Sequence, residues 1–272
     1  MINTKKRCFI PYLPGVKSLF TMIISLLLLT GCNPKPTTLP IKLMWGDQVI
    51  SCNQTLPGLP QWRLENIQFY LSEFSNNGQV VYLSDEGNDT QQKNVALIGS
   101  NCQSDGQWQL LFEQALVPGE FSFSLGVPFT LNHQSPLTSK SPLNQSDMFW
   151  TWQMGHKFFR LDLAKKQIEK RDTDRNLQTG WQFHLGSTGC KSASVMRSPK
   201  QACAYPNRPR FTLTYQGETG LVLDLAPLLS DILNKPELTE NSCMSDPHTL
   251  ICKALLPRIG INGTSKIWYW QS

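Results

Sequence analysis

Six cysteines, Cys52, Cys102, Cys190, Cys203, Cys243 and Cys252, constrain this chain more than any other feature, and what they can do depends on the compartment the chain reaches. The first residues speak to that compartment. A basic stretch at Lys5, Lys6 and Arg7 precedes the apolar run Met22 to Leu29, which closes on Thr30-Gly31-Cys32. The run is too short to span a bilayer and reads as a secretion signal. Thr30 and Gly31 directly before Cys32 resemble a bacterial lipobox, in which the cysteine is lipidated and becomes the mature N-terminus. An ordinary signal peptide with a chance cysteine is the weaker alternative, since the charged, apolar and small zones follow the expected order. Asn33 in place of an aspartate favours the outer membrane, with the protein facing the periplasm. An internal start at Met22 would make residues 1–21, Cys8 included, an upstream artefact.

In an oxidising periplasm the even set of six reads as disulfides, whose connectivity sequence alone does not fix. Cys190 with Cys203 and Cys243 with Cys252 each close a short loop rich in Ser, Pro or Asn, where a staple removes disorder at small strain, and this leaves Cys52 with Cys102. A thiolate metal site competes with this reading. It is disfavoured because no Cys-x-x-Cys spacing occurs and exported thiols are seldom kept reduced.

Of the formal charge of +5, Lys5, Lys6, Arg7 and Lys17 belong to the leader, which holds no acidic residue. The mature part is close to neutral, so a nucleic-acid partner has no electrostatic support. The predicted organisation is a signal peptide over 1–31, lipidated Cys32 with a Pro-rich tether over 32–40, and one β domain over 41–272. The fold class expected is all-β, a sandwich-like domain with a few short helices and disulfide-stapled loops. Period-two alternation at Ile67, Phe69 and Leu71, at Phe121, Phe123 and Leu125, and at Phe211, Leu213 and Tyr215 predicts half-buried strands. Apolar stretches near Val80–Leu83, Leu110–Phe112, Phe158–Leu163, Val222–Leu225 and Ile267–Trp270 add more, and regular short strands suggest a sandwich. Ala226–Leu233 and about His248–Leu256 read as short helices.

The segment from Leu125 to Asn207 is the most informative. Strand geometry over Met148 to Met154 would put Met148, Trp150, Trp152 and Met154 on one face. In Trp181 to Gly186, Trp181, Phe183 and Leu185 face one way and His184 the other. Several blocks recur in a recognisable order: Leu125-Gly126-Val127-Pro128-Phe129 with Asn132-His133, Pro142-Leu143-Asn144, Met148-Phe149-Trp150-x-Trp152-Gln153, and Lys157-Phe158-x-Arg160-Leu161-Asp162. Phe183-His184-Leu185-Gly186-Ser187-Thr188-Gly189-Cys190, Cys203-Ala204-x-Pro206-Asn207 and Cys243-Met244-Ser245 follow. Together they resemble the MbnP-like family of metallo-mystery-pair, four-Cys-motif proteins over most of the mature chain. The resemblance implies a periplasmic copper-binding protein paired with a diheme cytochrome of the MauG-like type. Such a partner can oxidise a tryptophan to kynurenine near the metal, where the modified residue can ligate copper beside histidines.

The residue types permit that chemistry. Imidazole suits either copper oxidation state and thioether suits Cu(I), so two histidines with one soft ligand favour copper over hard cations. His133 and His184 are the first candidates, set against the plainer reading of each as a satisfied polar residue. His156 is a weaker one, because relatives usually carry tyrosine there. Met154 is the soft candidate, although it and Met244 more often fill gaps, and His248 matches nothing. Trp150 and Trp152 are the candidates for modification, weighed against simple core packing. Arg160 with Asp162 reads as a structural ion pair, and Gly186-Ser187-Thr188-Gly189 as the turn before Cys190. No nucleophile elbow, His-Glu-x-x-His or phosphate-cradling loop occurs, so the expectation is a binding protein and not an enzyme. The rival class is a metal-free sandwich that binds a carbohydrate or an envelope protein through exposed Trp45, Trp62, Trp108, Trp268 and Trp270. A third is a purely structural protein with all its aromatics buried.

Overall fold

The structure, a computed structural model, describes residues 37–165 and 180–271. The leader, Cys32 and the first part of the tether lie outside the described residues. In chain order the strands are β1 (Thr37–Trp45), β2 (Gln48–Val49), β3 (Thr55–Leu56), β4 (Leu59–Asn76), β5 (Gln79–Val80), β6 (Gln91–Gln92), β7 (Val95–Ser100) and β8 (Gln109–Phe112). They continue as β9 (Gly119–Leu125), β10 (Phe149–Thr151), β11 (Gly155–Lys165), β12 (Gly180–Gly186), β13 (Arg210–Tyr215), β14 (Leu221–Asp224) and β15 (Trp268–Trp270).

Two sheets result. The smaller runs β15-β14-β1-β2 with β8 also on β1, and β1 pairs β14 in parallel, Ile41 opposite Leu221. The larger is built on the path β10-β11-β4-β7-β6, with β12 on β11, β9 on β4 and β13 on β9. Aromatic contacts tie one sheet to the other: Trp268 of β15 meets Phe69 of β4 at 5.7 Å and Phe123 of β9 at 5.3 Å, and Trp270 meets Phe121 at 5.6 Å. The all-β sandwich expected from the strand spacing is what forms.

β4 is the spine of the larger sheet, bonded to β3, β5, β7, β9 and β11. Ile67, Phe69 and Leu71 are buried as expected, but Gln68, Tyr70 and Ser72 on the other face are buried too. The half-buried reading therefore holds for β13 and fails for β4 and much of β9, because alternation reports which residues are apolar and not whether the second face is covered. On that second face Tyr70 donates its hydroxyl to Pro142 O (3.1 Å) and meets His156 edge-on, while on the Ile67 face a helix adds to the cover. Trp62 donates its indole N–H to Leu233 O (3.2 Å) at the end of the Ala226–Leu233 helix, which buries Leu228, Leu229, Ile232 and Leu233. Each such aliphatic contributes about 2 kcal/mol. The second helix is Leu250–Leu255, shorter than expected because Thr249 caps it, accepting from Cys252 N. Phe129–Asn132 and Pro236–Thr239 add single turns.

Three readings are corrected. Thr37–Pro40 belong to β1 and pair with β8 instead of forming tether, since the alternation of Leu39, Ile41, Leu43 and Trp45 into the core outweighs the proline content. Val80–Leu83 is not a strand beyond Gln79–Val80, and Val80 is exposed. Of the five tryptophans that a surface-binding sandwich would display, Trp45, Trp62 and Trp268 are buried and Trp108 and Trp270 pack partly against the core. That removes the support for the carbohydrate reading. The disulfides are Cys52–Cys102, Cys190–Cys203 and Cys243–Cys252.

Candidate metal centre

The Phe129–Asn132 turn, the residues after β10 and the start of β11 meet at one end of the larger sheet. Asn132 is the clamp. Its side-chain oxygen accepts from His156 N (2.8 Å), and its backbone oxygen accepts from His156 Nδ1 (2.7 Å). Gly155 makes this approach feasible, with φ +80° and the Asn132 side chain 2.6 Å from where a Cβ would stand. Expected as part of a continuous strand, Trp152 to Met154 instead form a turn leading into Gly155, and Met154 N donates to Thr151 Oγ1 (3.1 Å). The face that would have aligned Met148, Trp150, Trp152 and Met154 is therefore interrupted. Met148 is buried, while Trp150, Trp152 and Met154 are half-buried.

His133 follows the helical turn and is buried. Its Nδ1 faces Trp152 O at 3.3 Å, a carbonyl that can only accept, so Nδ1 carries the proton and Nε2 the lone pair. Nε2 faces the Asn132 amide nitrogen at 3.3 Å and Cys203 Sγ at 3.9 Å. The ring meets Phe129 edge-on at 5.2 Å, and Ser198 Oγ donates to the His133 carbonyl. Burial pushes the His133 pKa down, partly opposed by the Trp152 carbonyl, so the imidazole is neutral at pH 7 and ready to ligate.

His184 sits elsewhere, on β12 opposite Arg160 of β11. Its Nε2 lies 2.7 Å from Asp162 Oδ1, while Arg160 holds Asp162 Oδ2 at 2.8 Å and reaches Asp147 Oδ2 at 3.0 Å. Arg160 with Asp162 is the ion pair read from the sequence. Burial acts to raise the Asp162 carboxyl, but His184 and Arg160 outweigh it and hold the group below the usual carboxylate range. Burial lowers the His184 pKa despite Asp162, so we read an ionised Asp162 accepting a hydrogen bond from the Nε2–H of a neutral His184. That bond leaves the Nδ1 lone pair of His184 as the available donor, the way carboxylates orient metal-binding imidazoles. Among the described residues no hydrogen bond or ring contact joins His184 to His133.

His156, wholly buried, has its two nitrogens facing Asn132 O and Leu143 O (3.1 Å), which directs neither toward a shared metal position. It packs edge-on to Tyr70 and Phe149. His248 is exposed, next to Tyr205 at 6.2 Å. The two candidate tryptophans line an apolar groove of about 300 Å³ with Phe149, Leu137, Val195 and Met196. The ring of Trp150 lies over Gly186, where an added Cβ would stand 2.6 Å from it. Sequence reasoning missed Cys203 beside His133, Met196 over the tryptophans and Asn132 as clamp. The first two arise from packing across long stretches of chain and leave no local signal.

His133, Cys190 and Cys203 are the described group of at least three potential ligands whose donor atoms lie within 4.8 Å of one another. The two sulfurs form a disulfide, so in this state they offer no thiolate. An oriented imidazole beside half-buried tryptophans, on a sandwich stapled by disulfides, defines an all-β protein with a soft-ligand cluster at one end of the larger sheet. The chain belongs to the MbnP family, whose model matches residues 34–245. Its fold is similar to that of MbnP from Methylosinus trichosporium, at 22% identity and a TM-score of 0.68, covering 86% of this chain and 97% of that one. No curated protein matches it.

Proposed function

We propose that this chain is a copper-binding protein of the cell envelope, anchored by a lipid on Cys32 at the outer membrane and facing the periplasm, and that it performs no catalysis of its own. The observation that carries the reading is His133: a buried, neutral imidazole whose Trp152 contact fixes the tautomer and leaves Nε2 facing sulfur and amide. Membership of the MbnP family supports copper as the metal. Imidazole donors fit that metal in either oxidation state. Met154 is the soft donor in the adjoining turn, and His184, oriented by Asp162, is a further imidazole donor that lies apart from His133. Copper here is cargo, and a neutral imidazole binds it without first losing a proton.

The groove containing Trp150 and Trp152 is where a diheme cytochrome of the MauG-like type would reach an indole to oxidise. Half-burial of both rings supports access from the surface. The test is native mass spectrometry of the protein from copper-supplemented cells, beside His133→Ala and His184→Ala variants. One bound copper that is lost in His133→Ala is expected. A wild-type protein free of metal, or copper retained equally in both variants, overturns the assignment. An oxygen-derived mass increase on the peptide carrying Trp150 and Trp152, present only when the cytochrome is co-expressed, is the expected sign of the partner.

A further inference from the structure

We propose that Cys190 and Cys203, once reduced, form with His133 a thiol-gated site that takes one Cu(I) through two thiolates and an imidazole. The inference shares His133 with the copper reading above but stands on a separate observation, the convergence of these three donors. Their ligand atoms lie within 4.8 Å of one another and Cys203 Sγ is 3.9 Å from His133 Nε2. Metal–sulfur and metal–imidazole bonds of about 2.3 and 2.0 Å put neighbouring donors roughly 3.5–4 Å apart, a spacing Cys203 and His133 already have and one the two sulfurs, 2.03 Å apart while bonded, reach only when the bond opens. With Nδ1 engaged by the Trp152 carbonyl, the imidazole lone pair is on the nitrogen that faces the sulfur. Two thiolates and one imidazole form a soft set that selects Cu(I) over hard cations.

Exposure and charge together distinguish this disulfide: Cys52 and Cys102 are half-buried as well, but residues 50–56 and 99–106 around them carry Asp105 and no basic residue. Cys190 is half-buried and the bond closes the loop 191–202, most of which is exposed and which carries Lys191, Arg197 and Lys200 with no acidic residue. Positive charge near a sulfur stabilises a leaving thiolate and draws an attacking one. Cys243 and Cys252, by contrast, are both wholly buried. The reductant required is a dithiol. One of its thiolates attacks a sulfur of the pair, breaking the Cys190–Cys203 bond and forming a mixed disulfide. Its second sulfur then closes the dithiol into its own disulfide, so two electrons and two protons pass to Cys190 and Cys203. Cu(I) binding releases the thiol protons to solvent, and the copper keeps its oxidation state. Reoxidation of the pair would remove both thiolates and loosen the hold on the metal, coupling copper retention to the thiol state of the envelope.

The experiment is an anaerobic Cu(I) titration of the full chain against a chromophoric Cu(I) chelator, before and after treatment with dithiothreitol and its removal. Alkylation and peptide mapping identify which cysteines have opened. Cys190 and Cys203 are expected to open first, and the reduced protein to hold its one copper about tenfold or more tightly than the oxidised protein, with ultraviolet thiolate-to-copper absorption. The Cys190→Ser/Cys203→Ser double variant, checked for folding by circular dichroism, should show neither the gain nor the absorption. Should it not fold, His133→Ala with the cysteines intact should, once reduced, keep thiolate absorption but bind copper more weakly than reduced wild type. No tightening on opening of the pair, a gain that persists in these variants, or another disulfide opening first overturns the proposal. The oxidised arm tests the preceding assignment separately: copper there with no gain on reduction leaves that one standing and sinks this one, and the reverse result does the opposite.

Discussion

Asp162 joins two strands and two charges through one carboxylate, with His184 on one oxygen and Arg160 on the other. Asp162→Asn keeps the shape and removes the charge, leaving Arg160 partly buried with one fewer counter-ion. The expected cost is about 2 kcal/mol, lower than for a fully buried pair because Arg160 retains Asp147. Urea unfolding measures it, and a change below roughly 0.5 kcal/mol, the size of an ordinary surface effect, would contradict the role given to this carboxylate. The histidines set a pH dependence. Burial lowers the pKa of His133, His156 and His184 from 6.5, so below that value the unfolded chain binds more protons than the folded one. Their contribution to stability is therefore present above pH 6.5 and is lost as pH falls through the depressed values. The urea midpoint of the metal-free protein should drop between about pH 7.5 and pH 5.5; a flat profile there would mean that these imidazoles are not buried neutral.

At the scale of elements, two glycines hold the turn after β10 against its neighbours. Gly155→Ala places a methyl group 2.6 Å from the Asn132 side chain in a backbone region that L-residues rarely adopt. It should destabilise the protein by about 2 kcal/mol and release His156 from its clamp. Gly186→Ala meets the Trp150 ring on β10. We expect unchanged strand content by far-ultraviolet circular dichroism but a more solvent-exposed tryptophan by acrylamide quenching. Quenching identical to wild type would show that Trp150 does not rest on β12. This part of the site was only half legible. The Trp-x-Trp block singled out this segment, but its strand reading failed at Trp152, because the Gly155 turn and the Thr151 cap end the pairing after three residues.

Across the whole molecule, β4 links most of the larger sheet, and Trp62 at its start fastens that sheet to the Ala226–Leu233 helix while meeting Trp181 edge-on at 6.4 Å. Trp62→Ala empties a wholly buried site and removes the donor to Leu233 O, so the loss should reach about 4 kcal/mol in chemical denaturation. A cost near 1 kcal/mol would mean that the helix packs independently of β4. Lys165, whose ammonium lies 5.2 Å from the Trp62 ring, would lose its cation–π contact in the same variant.

The sequence by itself determined the all-β class and the helix at Ala226–Leu233, and pointed to the cysteine pairing without fixing it, because alternation, turn residues and loop closure are local properties that a chain carries wherever it goes. It also marked His133 and His184 as distinctive residues. Only the tertiary structure decided that His133 lies against Cys203, that His184 belongs with Asp162, and that both faces of β4 are covered. Those contacts join residues far apart in the chain, 70 positions for His133 and Cys203 and 171 for Trp62 and Leu233, and their geometry follows from how two sheets stack and where a turn ends a strand. No local pattern of residue types encodes it.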